Sequence, residues 1–182
     1  YLQWSKYEDW MAPIVHYQIH RGVDDLIDPN PIAIVPPNRR TYEDNVEDFL
    51  SSTGKFCYYI IAREGTNALG FNEFSRSNVS CAVIEPLIYI PNAFTVGGRN
   101  PIFKPVVNLY DYTNYEFTVF DRWGQTLFRT NNGNEGWNGL TIENSVAKEG
   151  VYLYVIRLKD GNGNEITRRG HVTLLDYRGI EE

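Results

Sequence analysis

Few side chains in this sequence stand where chemistry would need them. The most suggestive cluster is Asp160-Gly161-Asn162-Gly163-Asn164, whose alternating oxygen donors resemble the start of a calcium loop. Such a loop needs glycine at its sixth position and a bidentate Glu at its twelfth, where this chain has Glu165 and His171. A plain hairpin turn is the expectation there. Of the three histidines, His16 and His20 share one face of a strand but are too far apart to chelate, and no Glu completes a His-Glu-x-x-His motif. All three are read as surface residues. Ser75 and Ser77 lack the Gly-x-Ser-x-Gly context of an activated nucleophile. The paired carboxylates Asp24-Asp25, Glu43-Asp44 and Glu47-Asp48 are adjacent in sequence and expected to be exposed, without the burial that would separate their pKa values for acid–base work. No catalytic residue, metal site or cofactor site is expected, and no enzyme. Trp123 and Trp137 are left: exposed aromatics flanked by Gly and Asn can stack on sugars, and buried ones pack over the ends of a core. Packing is the reading adopted for both.

Cys57 and Cys81 belong to a different kind of chemistry. If Phe56–Ala62 and Phe74–Val83 form an antiparallel hairpin turning near Leu69-Gly70, opposed residues have numbers of constant sum, and 57 falls opposite 81. Cys57 is out of phase with Phe56 and Tyr58, so both thiols belong on the outer face, within disulfide reach. Two Cys with no His beside them do not make a zinc site. A disulfide implies an oxidising compartment.

The elements that would position these groups are strands. Aromatics make up 14% of the 182 residues, with 13 Tyr and 9 Phe, a composition that suits pleated, half-buried surfaces. Helical periodicity is scarce, and only Tyr42–Ser52 has room for a turn or two. The net charge of -6 argues against nucleic acid, which needs clustered Lys and Arg. No apolar run approaches the ~20 residues of a membrane span. In the first half, Leu2 and Trp4 share a face, as do Val15, Tyr17 and Ile19, and then Phe56, Tyr58, Ile60 and Ala62. Turn signals at Asp28–Pro31, Pro36–Asn38, Ser51–Gly54 and Glu64–Asn67 separate them. In the second half, Ile88, Ile90 and Phe94 lead in, with Pro91 confining that strand to an edge. Val106–Tyr110 follows. Tyr115, Phe117 and Val119 alternate with Glu116 and Thr118, and Asp121–Gly124 closes a tight turn into Gln125–Thr130. Val151–Leu158 is apolar on both faces, with Tyr152, Tyr154 and Ile156 to one side and Leu153 and Val155 to the other. It is read as a central strand. Ile166-Thr167 and Val172–Leu175 close the set, about seven short strands and so a sandwich.

Residues 1–86 resemble a fibronectin type III module, with Leu2-Gln3-Trp4 as its second strand and Phe56 where that family has its corner tyrosine. Tyr1 to Trp4 reads as mid-strand, so this module is expected to be N-terminally truncated. Residues 87–182 resemble the type B C-terminal sorting domain of type IX secretion cargo, also called the gliding-motility-associated C-terminal domain. Five pieces carry that resemblance: Pro91, Asn92 and Phe94; Arg122, Trp123 and Gly124; Trp137 and Gly139; Gly150 and Tyr152; and Gly170 before Val172-Thr173-Leu174. The chain departs from the family after Thr95, where relatives read Pro-Asn-Gly-Asp-Gly-x-Asn-Asp-x-Phe. Val96–Phe103 here has no acidic residue, so an ion or polar partner held by that loop in relatives does not carry over to this chain from the resemblance. Residues 176–182 also extend past the usual end. The fold expectation is all-β, two tandem immunoglobulin-like or fibronectin III-like β-sandwiches. The resemblance further implies a monomeric export signal for an adhesin-type surface passenger in Bacteroidota. Its partners would be the outer-membrane type IX translocon and a PorP/SprF-like accessory protein, and its route the periplasm to the cell surface or medium. The alternative is a glycan- or protein-binding module of a cell-surface adhesin.

Overall fold

The structure, a computed structural model, describes residues 1–8 and 10–176. The expected extension after residue 176 lies outside them. The chain divides into two compact units, Tyr1–Ile84 and Glu85–Glu182.

In the first unit the long strands β2 (Ile14–Val23) and β6 (Lys55–Glu64) pair antiparallel at the centre of the larger sheet. Strands β3 (Leu26–Ile27) and β4 (Ala33–Val35) flank β2, while β7 (Phe74–Arg76) and β8 (Ser80–Val83) flank β6. Strands β1 (Leu2–Gln3) and β5 (Thr41–Tyr42) make a small second sheet. Leu2, Trp4 and Tyr42 close over Tyr17, Ile19, Val35, Ile60 and Ala62, giving the two-layer core of a sandwich. The expected face of Val15, Tyr17 and Ile19 is broken at its start. A bulge between Ile14 and His16 adds one residue to β2, so Ile14 packs on the core and Val15 turns outward. The short helical segment is a single 3₁₀ turn, Glu47–Phe49.

The second unit has a five-stranded sheet in the order β10 (Ala93–Val96), β15 (Glu165–Asp176), β14 (Gly150–Lys159), β12 (Asp111–Phe120) and β13 (Thr126–Thr130). All its pairs are antiparallel except β10 with β15. A two-stranded sheet, β9 (Leu87–Tyr89) with β11 (Val106–Asn108), forms the facing layer. Ile88 and Val107 from that layer pack on a core that includes Phe94, Phe103, Phe117, Trp137, Ile156 and Leu174. The single lead-in strand expected around Pro91 is two strands in two different sheets. Proline has no N–H to continue the β9 ladder, and the chain crosses there to become the edge strand β10. Both units are β-sandwiches, and the described chain is all-β apart from the 3₁₀ turn.

Candidate functional site

The sorting-signature residues do not converge on one point. Phe94 from β10 and Trp137 from the 131–149 connection meet inside the core, ring centroids 5.3 Å apart, and Trp137 is 1% exposed. Its Nε1–H donates to the Leu140 carbonyl at 2.8 Å, which satisfies the one polar atom that burying an indole brings inside. The Phe103 and Trp137 backbones exchange two hydrogen bonds, 2.8 and 2.9 Å. These fix the connection against the loop that follows β10. Tyr152 from β14 packs edge-on to Trp137 at 4.8 Å, and its hydroxyl donates to the Lys148 carbonyl. Gly170 on β15 lies under Tyr154, so tightly that a Cβ would sit 2.7 Å from Cζ of the ring; only glycine leaves that space. Gly139 is buried against Phe94 and Leu174, and Gly150 opens β14.

Trp123 is placed elsewhere. It stands 78% exposed at the β12–β13 turn, with the Arg122 guanidinium 4.3 Å above its ring. The expectation that both indoles pack over the core therefore holds for Trp137 and fails for Trp123. The cause is the turn itself. The Asp121 carboxylate accepts from the backbone N–H groups of Trp123 (2.9 Å) and Gln125 (2.8 Å), and Gly124 takes φ +86° to close the loop. Those bonds hold residues 122 and 123 out at the tip.

The same bonding pattern closes the β14–β15 turn. Asp160 accepts from the N–H groups of Asn162 and Asn164, both at 2.9 Å. Although partial burial pushes the Asp160 carboxyl up, hydrogen bonds from the Asn164 side chain and the backbone of Asn164, Asn162 and Gly163 hold it below the usual range. Its oxygens are taken up by the turn, as expected of a hairpin. Among the described residues no cluster of three or more His, Cys, Asp or Glu side chains could hold a metal.

Pro91 and Asn92 sit between the two sheets, where the Asn92 carbonyl accepts from Thr173 N–H at 2.9 Å. They line an open cleft of about 810 Å³ together with Tyr89, Asn100, Lys104 and Phe128. Across it, Glu135 already accepts from Thr130 and Asn132. The acid-free loop after Thr95 is closed by its own backbone, Thr95 N–H to the Asn100 carbonyl at 2.9 Å.

In the first unit Cys57 and Cys81 are joined, with Cα atoms 4.0 Å apart and strands in register at that pair. Cys57 lies opposite the core side as expected, yet is buried rather than surface-exposed. Two other expectations of exposure also fail. His20 is 3% exposed, its ring stacked on Tyr59 at 4.5 Å, and its Nε2 has no partner. Asp44 is nearly buried and takes both Arg21 (3.0 Å) and the Tyr58 hydroxyl (2.7 Å). Burial, followed by that hydrogen bond to Asp44, drives the Tyr58 hydroxyl well above its usual pKa. This is a satisfied structural ion pair; its sequence signal, an acidic residue in a charged run, does not differ from that of exposed neighbours.

Fold and site define a tandem β-sandwich protein with one disulfide, whose second sandwich carries its distinguishing residues in core and turns. Residues 88–174, from β9 into β15, match the family described as the CHU_C type IX secretion signal domain, which makes the second unit a type IX secretion signal. Such a signal implies engagement with the secretion machinery and export towards the cell surface or extracellular space. Among the described residues no helix is long and apolar enough to cross a membrane. A solved structure of the fibronectin(III)-like modules of Clostridium thermocellum CbhA aligns over 97% of this chain and 85% of its own, at 12% identity and a TM-score of 0.31. No curated protein matches the chain.

Proposed function

We propose that the second unit is the C-terminal address of a large surface or adhesin-type passenger, and that it delivers this passenger through the outer-membrane type IX translocon with a PorP/SprF-like accessory protein. The source would be a member of the Bacteroidota, and gliding adhesins would be among the cargo. The match over residues 88–174 is the observation that carries this reading. The positions of the signature support it: Phe94, Trp137, Tyr152 and Gly170 build the fold, so the address is read from a folded module rather than a linear peptide. The disulfide fits a route through an oxidising periplasm. The module performs no catalysis, and the first unit acts as a spacer or contributes to recognition. To test this, the 182-residue chain is fused behind a periplasmic reporter in a cell with a working type IX system. The reporter should reach the surface or medium, and should stay periplasmic when the translocon is deleted. A reporter that remains in the periplasm of the competent cell refutes the proposal.

A second reading, a ligand-binding module of an adhesin, is favoured by the exposure of Trp123. It predicts saturable quenching of tryptophan fluorescence by a glycan on an array, lost in Trp123→Ala. A flat array sinks it.

A further inference from the structure

The strand read as apolar on both faces, β14, is central, but only one of its faces is covered. Tyr152, Ile156 and Leu158 point into the core, whereas Val151 and Leu153 on the other side are 56% and 48% exposed. The pairing sets them in a continuous strip. Leu153 lies between Phe120 of β12 and His171 of β15, Val155 between Thr118 and Arg169, and Val151 beside Thr173. Leu175, 40% exposed, extends the strip along β15. The solvated face of an antiparallel sheet ordinarily carries polar residues; β14 departs from that at Val151, Leu153 and Val155, while its neighbours keep to it at Thr118, Arg169, His171 and Thr173.

The border of the strip is cationic. Arg129 stands opposite Thr118, Arg169 opposite Val155, and Arg157 opposite Glu116. Glu116 is shared by Arg129 and by Arg157, the latter at 2.6 Å. Three guanidinium groups therefore face one carboxylate, a local excess of two positive charges in a chain of net charge -6. One row further on, Asp111, Lys159 and Glu165 return the face to a slight negative balance. The positive excess is thus confined to the edge of the apolar strip.

We propose that this open face of the five-stranded sheet is the surface by which the secretion machinery grips the signal, and that its occupant is a folded protein surface with an apolar centre and carboxylates on the arginine side. The inference rests on the sorting reading above and names the contact face that reading lacks. Burial of Leu153 and Val151 would supply the apolar term, and carboxylates would meet the guanidinium groups left short of a partner. A second copy stacked in the same orientation would set one cationic border against another. A lipid surface would find a flat strip of short aliphatic side chains with little to insert.

The test uses the reporter fused to the full chain, with three variants. Leu153→Arg spoils the strip, the double change Arg129→Glu/Arg169→Glu inverts its border, and Ile142→Arg alters a still more exposed apolar residue in the 140–146 hairpin. The first two should lower export at least tenfold, with the border variant's deficit shrinking as salt is raised and its charges are screened, while Ile142→Arg behaves as wild type. Arg169→Glu alone serves if Leu153→Arg lowers the melting temperature, because no side-chain partner of Arg169 is lost. Wild-type export of both face variants overturns the surface and leaves the sorting role standing; a wild-type fusion that is never exported removes the sorting role itself. Two further results with the purified chain also overturn the proposed occupant. One is a dimer in sedimentation that Leu153→Arg dissolves, and the other is co-flotation with phosphatidylglycerol/phosphatidylcholine vesicles.

Discussion

The large sheets of the two units both carry apolar or aromatic side chains on the face turned away from the core, and they treat them in opposite ways. In the first unit the middle of that face is closed by its own side chains, while Phe74 and Ile34 at its margins stay 56% and 60% exposed. Tyr59 is stacked on His20 and covered by the Arg76 guanidinium at 4.0 Å, Arg63 lies over Phe74 at 4.8 Å, and the disulfide locks Cys57 beneath β8. In the second unit the arginines on the corresponding face turn to Glu116 instead, and Val151 and Leu153 stay open. Arginine laid over the central ring leaves Tyr59 only 9% exposed; arginine used as a border leaves Val151 and Leu153 for something else to cover.

The largest test of that contrast is removal of the disulfide. It closes a loop of sequence separation 24, and opening it should cost the first unit about 3.5 kcal/mol through the regained freedom of the unfolded chain. Calorimetry of the Cys57→Ser/Cys81→Ser chain should show the first unit's transition falling and the second unit's unmoved. If both fall together, the units do not unfold independently and the comparison loses its basis. A closer comparison sets Tyr59→Ala against Leu153→Ala. Loss of the covered ring should cost about 3 kcal/mol, and loss of the open leucine about 1 kcal/mol or less. Equal costs would mean that the second face is no more open than the first.

These contrasts were legible in the sequence only in part. The disulfide could be read because the register of one hairpin fixes which residues face each other. The apolar double face of β14 could be read as well, but not whether both faces would be covered, since that depends on what packs above the sheet. The Val15 phase was lost to a single-residue bulge, which alternation cannot reveal. Asp44 and His20 were misplaced for another reason: their partners Arg21, Tyr58 and Tyr59 come from strands that pair only in the folded chain. Trp123 and Trp137 sit in similar Gly-rich surroundings, and only the carboxylate of Asp121 decides that one of them stays outside.

A smaller effect concerns the border itself. The hydrogen bond and charge of Arg129, joined by those of Arg157, hold Glu116 below its ordinary pKa of 4.5. A depressed carboxyl contributes stability that is present above its unfolded pKa and lost as pH falls through the folded value. Between neutral pH and pH 4.5 the contribution should therefore be intact, and it should fade in more acidic solution. The partners are exposed, so its size should stay within about 1 kcal/mol. In Glu116→Gln the second unit's melting temperature should lose part of its acid dependence below pH 4.5. An unchanged slope would mean that the arginines are not held by Glu116, and that the border is more mobile than its geometry shows.

The smallest expected change in stability is at Trp123, where it separates two uses of one residue type. The turn that carries it is held by Asp121 through backbone N–H groups, and none of those bonds involves the indole. Trp123→Ala removes an exposed ring and its contact with Arg122, which should cost about 0.5 kcal/mol. Urea unfolding of the full chain should show almost no shift in midpoint and no change in slope. A loss above about 2 kcal/mol would show that the ring helps to hold the core, as Trp137 does, and would remove it from the open surface. If stability is unchanged and export of the reporter still falls, the indole is read directly by whatever covers the second unit. Unchanged stability with unchanged export would restrict the recognised surface to the strip around Leu153.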